Sequence, residues 1–267
     1  MDEDNFKFQV AVTGERKEIA GLIAEHFGTQ AMYQGTPGFG YVIKEPSGRE
    51  WTIDVNGAVI TQGTMEEDLA VFMVLKMLEA NSITSEGQAV ITIPTEGHNG
   101  ITLRNLVNIL AAKEYLITKT MGRIDQVFIP QVLVEAINAA RLRTIEDFLE
   151  VKQTLNDIDW AGLLISKDNI TFRWFVATLN PETIQAYIQF AFAVNKMALA
   201  QKHSSPRKTE TVNEKYTFRT WLLRLGFIGE RYKDSRKLFL DRLDGNSSFR
   251  TGEQAKTAAI KRKQLSA

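Results

Sequence analysis

WTIDVNGAVI, at residues 51–60 of the 267-residue chain, is the stretch that decides the fold. Two apolar runs flank the dipeptide Asn56-Gly57, and Asn-Gly between such runs is the strongest short-range signal for a β-hairpin. We therefore predict strands at residues 50–55 and 58–61 with a tight turn between them. The segments on either side extend this hairpin into a larger unit.

The segments around the hairpin predict a first βαββα unit over residues 5–80. Phe6 to Val12 alternates apolar and other residues, which indicates a strand, and an amphipathic helix follows and stops at Gly28. Another extended segment, residues 38–44, precedes the hairpin. Residues 66–80 close the unit as a helix that is apolar nearly all round, so we expect it to be deeply covered.

The same order of elements returns over residues 88–201. A strand at 88–94, a helix at 101–121, a hairpin about the turn 167–169 and a helix that begins at Asn180-Pro181 repeat the first unit. Residues 130–159 form a helical insertion, bent near 141–144, where Thr144 and Asp147 resemble a capping box. The sequence thus predicts an α+β fold of two tandem βαββα units, whose sheets either join or pack through the helices.

A change in composition predicts a domain boundary after the second unit. Residues 203–213 (HSSPRKTETVN) lack large apolar side chains other than Val212, which is typical of a linker. The predicted domains are a body at 1–202, a linker at 203–213, a basic helical hairpin at 214–250 and a basic flexible tail at 251–267.

The net charge of zero hides an opposition between the two ends of the chain. Residues 1–200 hold 16 Lys and Arg against 25 Asp and Glu, whereas residues 201–267 hold 16 against 7. A basic end on an acidic body indicates a surface for polyanions or for an acidic partner.

The basic residues of the C-terminal hairpin are interleaved with aromatic residues, and two short helices about a Gly-Phe-Ile-Gly turn resemble a helix-turn-helix in outline. Three interpretations remain open. The hairpin contacts nucleic acid, or it packs on the repeats with solvated flanks, or it docks on the acidic body of its own chain or of a second copy. The candidate contact residues are Arg219, Arg224, Arg231, Lys233, Arg236, Lys237, Arg242 and Arg250.

A second candidate site is the loop Gly97-His98-Asn99-Gly100, which lies between a predicted strand and a helix N-terminus. Free backbone N–H groups in that position can bind an anion. The alternative interpretation is a turn that needs glycine only for its backbone conformation.

No catalytic or metal-binding pattern is visible in the sequence. The chain has no cysteine, and its three histidines lie far apart, so we predict no catalytic residue, no metal and no cofactor. The N-terminus lacks the pattern of a signal peptide, and the longest apolar stretch is too short to span a membrane. The expectation is a cytoplasmic protein without a membrane partner that is not an enzyme.

Several stretches resemble a family of clostridial prophages and integrative elements that is known as virulence-related proteins, whose biochemical role is not established. The resemblance implies a mobile-element accessory protein, often encoded beside a putative amidoligase, and brings no catalytic residues. Relative to compact members, residues 130–159 look like an insertion. The matching stretches are VTGERKEIAGLIAEHFG at 12–28, YQGTPGFGY at 33–41, WTIDVNGAV at 51–59, ISKDNITFRWF at 165–175 and WLLRLGFIGERYKDSRKLFLDRLDGNSSFR at 221–250.

Together these observations predict a non-enzymatic binding protein of a mobile genetic element, which acts through a protein partner, self-association or nucleic acid. One alternative is a sequence-tolerant DNA- or RNA-binding factor that uses the C-terminal helices. Another is an enzyme whose active site is assembled from distant residues and cannot be recognised from sequence.

Overall fold

The computed structural model describes residues 5–64, 68–123, 126–155 and 162–248 of the chain. Within these ranges it contains eight strands, nine α-helices and a 3-10 turn at Glu230–Tyr232. The strands are β1 (Asn5–Val12), β2 (Ala31–Tyr33), β3 (Tyr41–Lys44), β4 (Glu50–Ile53), β5 (Ala58–Thr64), β6 (Ser85–Pro94), β7 (Leu163–Ile165) and β8 (Asn169–Val176). The helices are α1 (Arg16–His26), α2 (Asp68–Ala80), α3 (Gly100–Ala111), α4 (Glu114–Thr120), α5 (Gln131–Ala139), α6 (Ile145–Gln153), α7 (Pro181–Ala200), α8 (Glu214–Arg224) and α9 (Lys233–Asp241).

All eight strands form one sheet in the order β2-β3-β4-β5-β1-β6-β8-β7. Every neighbouring pair is antiparallel, and β1 and β6 lie side by side in the middle. The protein is therefore a mixed helix-and-sheet fold on an antiparallel sheet, as predicted at that level. Of the two arrangements left open, the described strands show the joined sheet.

The hairpin predicted at Asn56-Gly57 is confirmed. Strands β4 and β5 pair with Ile53 opposite Val59, and Gly57 has a φ of 81°. Asp54 closes the turn, because its Oδ1 accepts hydrogen bonds from the backbone N–H groups of Asn56 (2.9 Å) and Ala58 (2.8 Å). The glycine supplies the positive φ that other residues rarely adopt.

Burial along the central strand β1 alternates, which is typical of a sheet with one covered face. The side chains of Phe6, Phe8, Val10 and Val12 are buried, whereas that of Lys7 is exposed. Helix α7 lies against this buried face, and the ring centroids of Phe6 and Phe192 are 6.4 Å apart. The face of the sheet that carries α7 is thus the one that holds the core.

Helix boundaries that depend on local capping agree with the sequence. Thr144 and Asp147 form the predicted capping box at α6, and the Asn180 side chain accepts from Thr183 N at 2.8 Å at the start of α7. The predicted helix at 101–121 is instead two helices. Lys113 leaves the helical conformation between α3 and α4, with φ −119° and ψ 5°.

Helix α2 differs from its prediction. We expected it to be deeply covered, yet Leu69 and Met73 on one of its faces are 72% and 51% exposed. Its opposite face is buried through Val71, Val74 and Leu75. Apolar composition all round a helix favours coverage but does not determine which neighbours the topology provides.

The segment predicted as a linker, 203–213, lies along α3 and is hydrogen-bonded to it. Asn105 Oδ1 accepts from Ser204 N at 3.0 Å, and Asn108 Nδ2 donates to Ser204 O at 2.8 Å. Farther along, Thr209 N donates to Ala112 O at 3.0 Å. The segment is therefore fastened to the body over part of its length, while the domain boundary placed there stays a prediction.

Candidate polyanion-binding surface

Residues 214–248, here called the C-terminal module, are docked on the body mainly through aromatic side chains. Phe190 of α7 lies between the two helices of the module, with ring centroids 5.9 Å from Trp221 and 5.4 Å from Phe239. Phe218 and Phe227 of the module are fully buried in the same core. The apolar stripe of the module is thus used for docking.

The charge split suggests that bases of the module pair with acids of the body. The ion pairs between them are arranged the other way round. Lys119 of α4 lies 2.8 Å from a Glu214 oxygen and 2.7 Å from an Asp244 oxygen. These hydrogen bonds, the one to Asp244 first, raise the pKa of Lys119 above its usual value. In these two ion pairs the module therefore contributes the acids and the body the base.

The structure places most of the predicted contact residues at the surface. Among the described residues, no carboxylate pairs with Arg219, Arg224, Arg231 or Lys237, which are all exposed. Lys233 is also exposed but lies 2.6 Å from Glu230 Oε1. Arg250 lies outside the described residues.

Two of the predicted residues have structural contacts. Arg236 is half-buried, and its Nη1 donates to the carbonyl oxygens of Phe227 and Gly229, each at 2.9 Å, which fastens the turn between α8 and α9. Arg242 donates from Nη1 to Thr120 O at 3.4 Å, at the end of α4. Removal of either side chain would thus perturb the fold as well as the charge.

Two lysines from distant parts of the chain line a cleft at the α3–α4 junction, here called the basic cleft. Lys113 at the junction and Lys208 of the 203–213 segment line it. Lys113 Nζ donates to Thr209 Oγ1, and burial together with the nearby charge of Arg224 lowers the pKa of Lys113. Arg224, at the end of α8, does not line the cleft, but its charge acts on Lys113. An anion bound here would relieve this mutual repulsion.

The basic cleft also carries an exposed aromatic ring and one acidic side chain. Tyr115 lines the cleft and is 52% exposed. The carboxylate of Glu114 is already engaged, since its Oε1 accepts from the backbone N–H groups of Phe128 and Ile129, each at 2.9 Å. Cations beside an exposed ring are the groups that bind phosphate and stack on a base.

Sequence reasoning missed Lys113 and Lys208. Both lie outside the C-terminal hairpin on which the charge pattern concentrated, and Lys113 stood inside a predicted continuous helix. The helix break and the course of the 203–213 segment bring the two lysines to one cleft, and neither feature is a local property of the sequence. The pair of adjacent basic residues Arg207-Lys208 was the signal in the sequence that could have pointed to Lys208.

The loop at residues 97–100 forms a helix cap. The side chain of Asn99 accepts hydrogen bonds from Ile101 N (2.9 Å) and Thr102 N (3.0 Å), the donors that an anion would use. His98 is buried, and its Nε2 lies 2.6 Å from Asn195 Oδ1. Within the loop, the backbone N–H groups of His98 and Asn99 also donate inside the chain, to Thr95 O (3.0 Å) and Thr102 Oγ1 (2.8 Å).

Two further observations concern the described residues. No group of three or more histidine, aspartate or glutamate side chains is placed to hold a metal ion there. No helix in the described ranges has the length and apolarity needed to cross a bilayer.

The sequence matches no protein-family model and no curated protein. Ten solved chains match the structure. One comes from the crystal structure of the complex between the prokaryotic ubiquitin-like protein Pup and its ligase PafA, with a TM-score of 0.39 and 9% sequence identity. The match covers 92% of this chain and 54% of that chain, so this chain spans about half of that chain's length. A likeness of this degree does not establish a shared fold or activity.

Proposed function

We propose that this chain is a non-enzymatic accessory protein of a bacterial mobile genetic element, a phage or an integrative element, and that it binds nucleic acid in the cytoplasm. The resemblance of five stretches to the virulence-related family supports the mobile-element role. The observation that carries nucleic-acid binding is the cleft that Lys113 and Lys208 line together with the exposed ring of Tyr115.

The residues of the surface suit binding with little dependence on sequence. Lysine and arginine contact phosphates, which every sequence presents, and an aromatic ring stacks on any base. The C-terminal module carries further exposed cations, Arg219, Arg231 and Lys237. Single-stranded DNA or RNA fits best, because its bases are free to reach the Tyr115 ring.

Salt-dependent binding to a fluorescent, hydroxyl-ended single strand tests the proposal. The double variant Lys208→Gln/Arg224→Gln removes one cation that lines the basic cleft and one whose charge acts on Lys113. Both side chains are exposed, so the fold is expected to persist. We expect the slope of log K against log salt to become shallower by about 0.7 per lost phosphate contact. The matched control, Lys17→Gln/Lys76→Gln, removes the same charge from exposed positions on α1 and α2 and should bind like the parent.

Two results would contradict nucleic-acid binding at the basic cleft. One is an affinity that does not change between about 50 and 200 mM salt, because phosphate contacts release counterions. The other is an equal loss in the control variant, which would mean that net charge alone, and not the basic cleft, determines the affinity.

Helix α2 supports a second candidate, self-association. Leu69 and Met73 form an exposed apolar pair one helical turn apart, and large apolar side chains in such a patch mark interaction sites. A second copy that packs α2 against α2 would cover both. Light scattering across a dilution series should show a dimer that Leu69→Glu/Met73→Glu converts to monomer; a monomer at all concentrations contradicts it.

The tandem origin of the body also remains a proposal. Outwards from the β1–β6 pair, β1 is followed by β5 and then β4, and β6 is followed by β8 and then β7. On both sides, therefore, the second strand of the hairpin lies next to the first strand of the unit. In each half a helix follows the central strand and another follows the hairpin. This correspondence supports two βαββα units, with the C-terminal hairpin added after them.

A further inference from the structure

The described helices leave one face of the sheet open. Helix α7 packs on the buried face, where Phe192 lies against Phe6. The end of α1 packs on the same face, since the ring centroid of Phe27 is 6.2 Å from that of Trp51. Successive side chains of a strand point to opposite faces, so the residues between the buried ones form a second face. This second face is here called the open face.

A row of uncharged side chains crosses the middle of the open face. The strand pairings place its members directly opposite one another from β2 to β6, and none of them is buried. The members of this central row are Met32, Val42, Thr52, Ile60, Gln9 and Val90. Such a row can be covered by a partner without the cost of burying an unpaired charge.

Charges of opposite sign flank the central row. Lys7 precedes Gln9 by two residues on β1, whereas Glu86 is paired with Ala11, two residues beyond Gln9. Both charged side chains are exposed, and their backbones are about 13 Å apart along the strand direction at about 3.4 Å per residue. Among the described residues, neither forms an ion pair. Each charge is therefore available to a group outside its own copy.

The outer strands continue this polarity. On the Lys7 side of the row, Lys44 and Glu50 neutralise each other at 3.0 Å. On the Glu86 side, Asp54 follows Thr52 by two residues at the end of β4. One side of the row is thus net positive and the other is net negative.

We propose that the open face is an interface between two copies of this chain, related by a two-fold axis that runs along the central row. In such a contact the same patch meets itself, so Gln9 faces Gln9 and Val90 faces Val90. The same rotation turns the Lys7 side of each copy onto the Glu86 side of the other. Opposite charges therefore meet twice in the dimer, and like charges are kept apart.

The open face is large enough for a stable contact. The eight strands span about 34 Å at a spacing of about 4.8 Å, and each strand residue covers about 16 Å² of the face. The strands together offer roughly 750 Å², close to the area of about 800 Å² that each partner buries in a standard interface. Sheets that pack face to face lie about 10 Å apart, which the Lys7 side chain can reach across.

Exchange of the two flanking charges tests the interface. Lys7→Glu and Glu86→Lys each bring like charges together twice in the dimer, so we expect either to weaken dimerisation about tenfold at low salt. The double variant Lys7→Glu/Glu86→Lys restores opposite charges between the copies and should dimerise like the parent. Analytical ultracentrifugation measures the dissociation constants, and circular dichroism checks that the variants are folded.

A second set of variants tests the central row itself. Ile60→Lys/Val90→Lys places two charges in the row and should give a monomer. The matched control Val212→Lys/Ile228→Lys makes the same two replacements at side chains that are 97% and 66% exposed and lie outside the sheet. We expect the control to dimerise like the parent.

A thiol probe serves if the lysine variant fails to fold. The chain has no cysteine, so Thr52→Cys introduces a single thiol into the central row. We expect this thiol to react slowly with a maleimide in the concentrated protein and rapidly after dilution, because dissociation uncovers it. The thiol of Val212→Cys should react rapidly at every concentration.

The outcomes separate this interface from the basic cleft and from the apolar pair on α2. A dimer that responds to the charge exchange and shields Thr52→Cys supports the open face, whether or not nucleic acid binds. A dimer that only Leu69→Glu/Met73→Glu dissociates is formed through α2. That result, or a protein that is monomeric at all concentrations, overturns the proposal.

Discussion

The Nε2 atom of His98 lies 2.6 Å from Oδ1 of Asn195 and joins the start of α3 to α7. Burial lowers the pKa of His98 below the usual 6.5, although the bond to Asn195 acts in the opposite direction. The unfolded chain therefore binds a proton more readily than the folded one. We expect this contribution to leave stability intact above about pH 6.5 and to reduce it as the pH falls from there.

Urea unfolding at pH 7.5 and pH 5.5 measures the effect. Many carboxylates also titrate toward acid, so the comparison is with His98→Gln, whose side-chain amide can donate a hydrogen bond and does not titrate in this range. The variant should lose less stability between the two pH values than the parent. If the parent and the variant lost equal stability between the two pH values, the pKa of His98 would not be lower in the folded protein than in the unfolded chain.

The pairing of Lys119 with Glu214 predicts a coupling between the body and the C-terminal module. Lys119→Met leaves the buried Glu214 carboxylate without its nearest cation, and we expect it to lower the unfolding midpoint and to speed proteolysis of the module. Glu214→Gln should cost less in the Lys119→Met background than alone. A double-mutant cycle measures this coupling, and additive effects would exclude it.

Truncation of Phe190 tests whether aromatic packing holds the C-terminal module in place. This side chain is fully buried between Trp221 and Phe239, so Phe190→Ala leaves a cavity that we expect to cost about 3–5 kcal/mol of unfolding free energy. Phe39→Ala, at a residue that is 42% exposed, serves as the control and should cost much less. Similar losses in the two variants would contradict the docking described above.

Features that depend on near neighbours could be predicted from the sequence. The turn at Asn56-Gly57, the capping box of Thr144 and Asp147, and the start of α7 at Asn180-Pro181 each rest on contacts within a few residues. Such local interactions are present in the sequence pattern itself. The antiparallel hairpins and the α+β class followed from them.

Features that depend on distant contacts could not be predicted. The break at Lys113 coincides with a bond to Thr209, 96 residues away, and the exposure of Leu69 depends on which elements the topology sets beside α2. The same limit applies to the candidate site. The charge pattern predicted Arg224 as a contact residue. That its charge acts on Lys113, and that Lys113 and Lys208 line one cleft, depends on the three-dimensional arrangement.

We expect alanine to have opposite effects on stability at two glycines that lie in helices, Gly100 and Gly21. A Cβ at Gly100, the first residue of α3, would lie 2.5 Å from Thr144 O and 2.9 Å from the Leu142 Cβ. Because a backbone oxygen cannot yield as a flexible side chain does, we expect Gly100→Ala to destabilise the protein by about 1–3 kcal/mol, as for overpacking. Gly100 is then required by the packing of the 141–144 bend on α3 and not by a ligand.

Gly21 in α1 is the matched control, since a Cβ there meets nothing within 4 Å. Alanine has the higher helix propensity, so Gly21→Ala should stabilise the protein by about 0.5–1 kcal/mol. Urea unfolding of both variants measures whether each substitution lowers or raises the free energy of unfolding. A Gly100→Ala protein as stable as the parent would show that the bend moves away from α3 at little cost, and the loop at 97–100 would then have room to open toward a ligand.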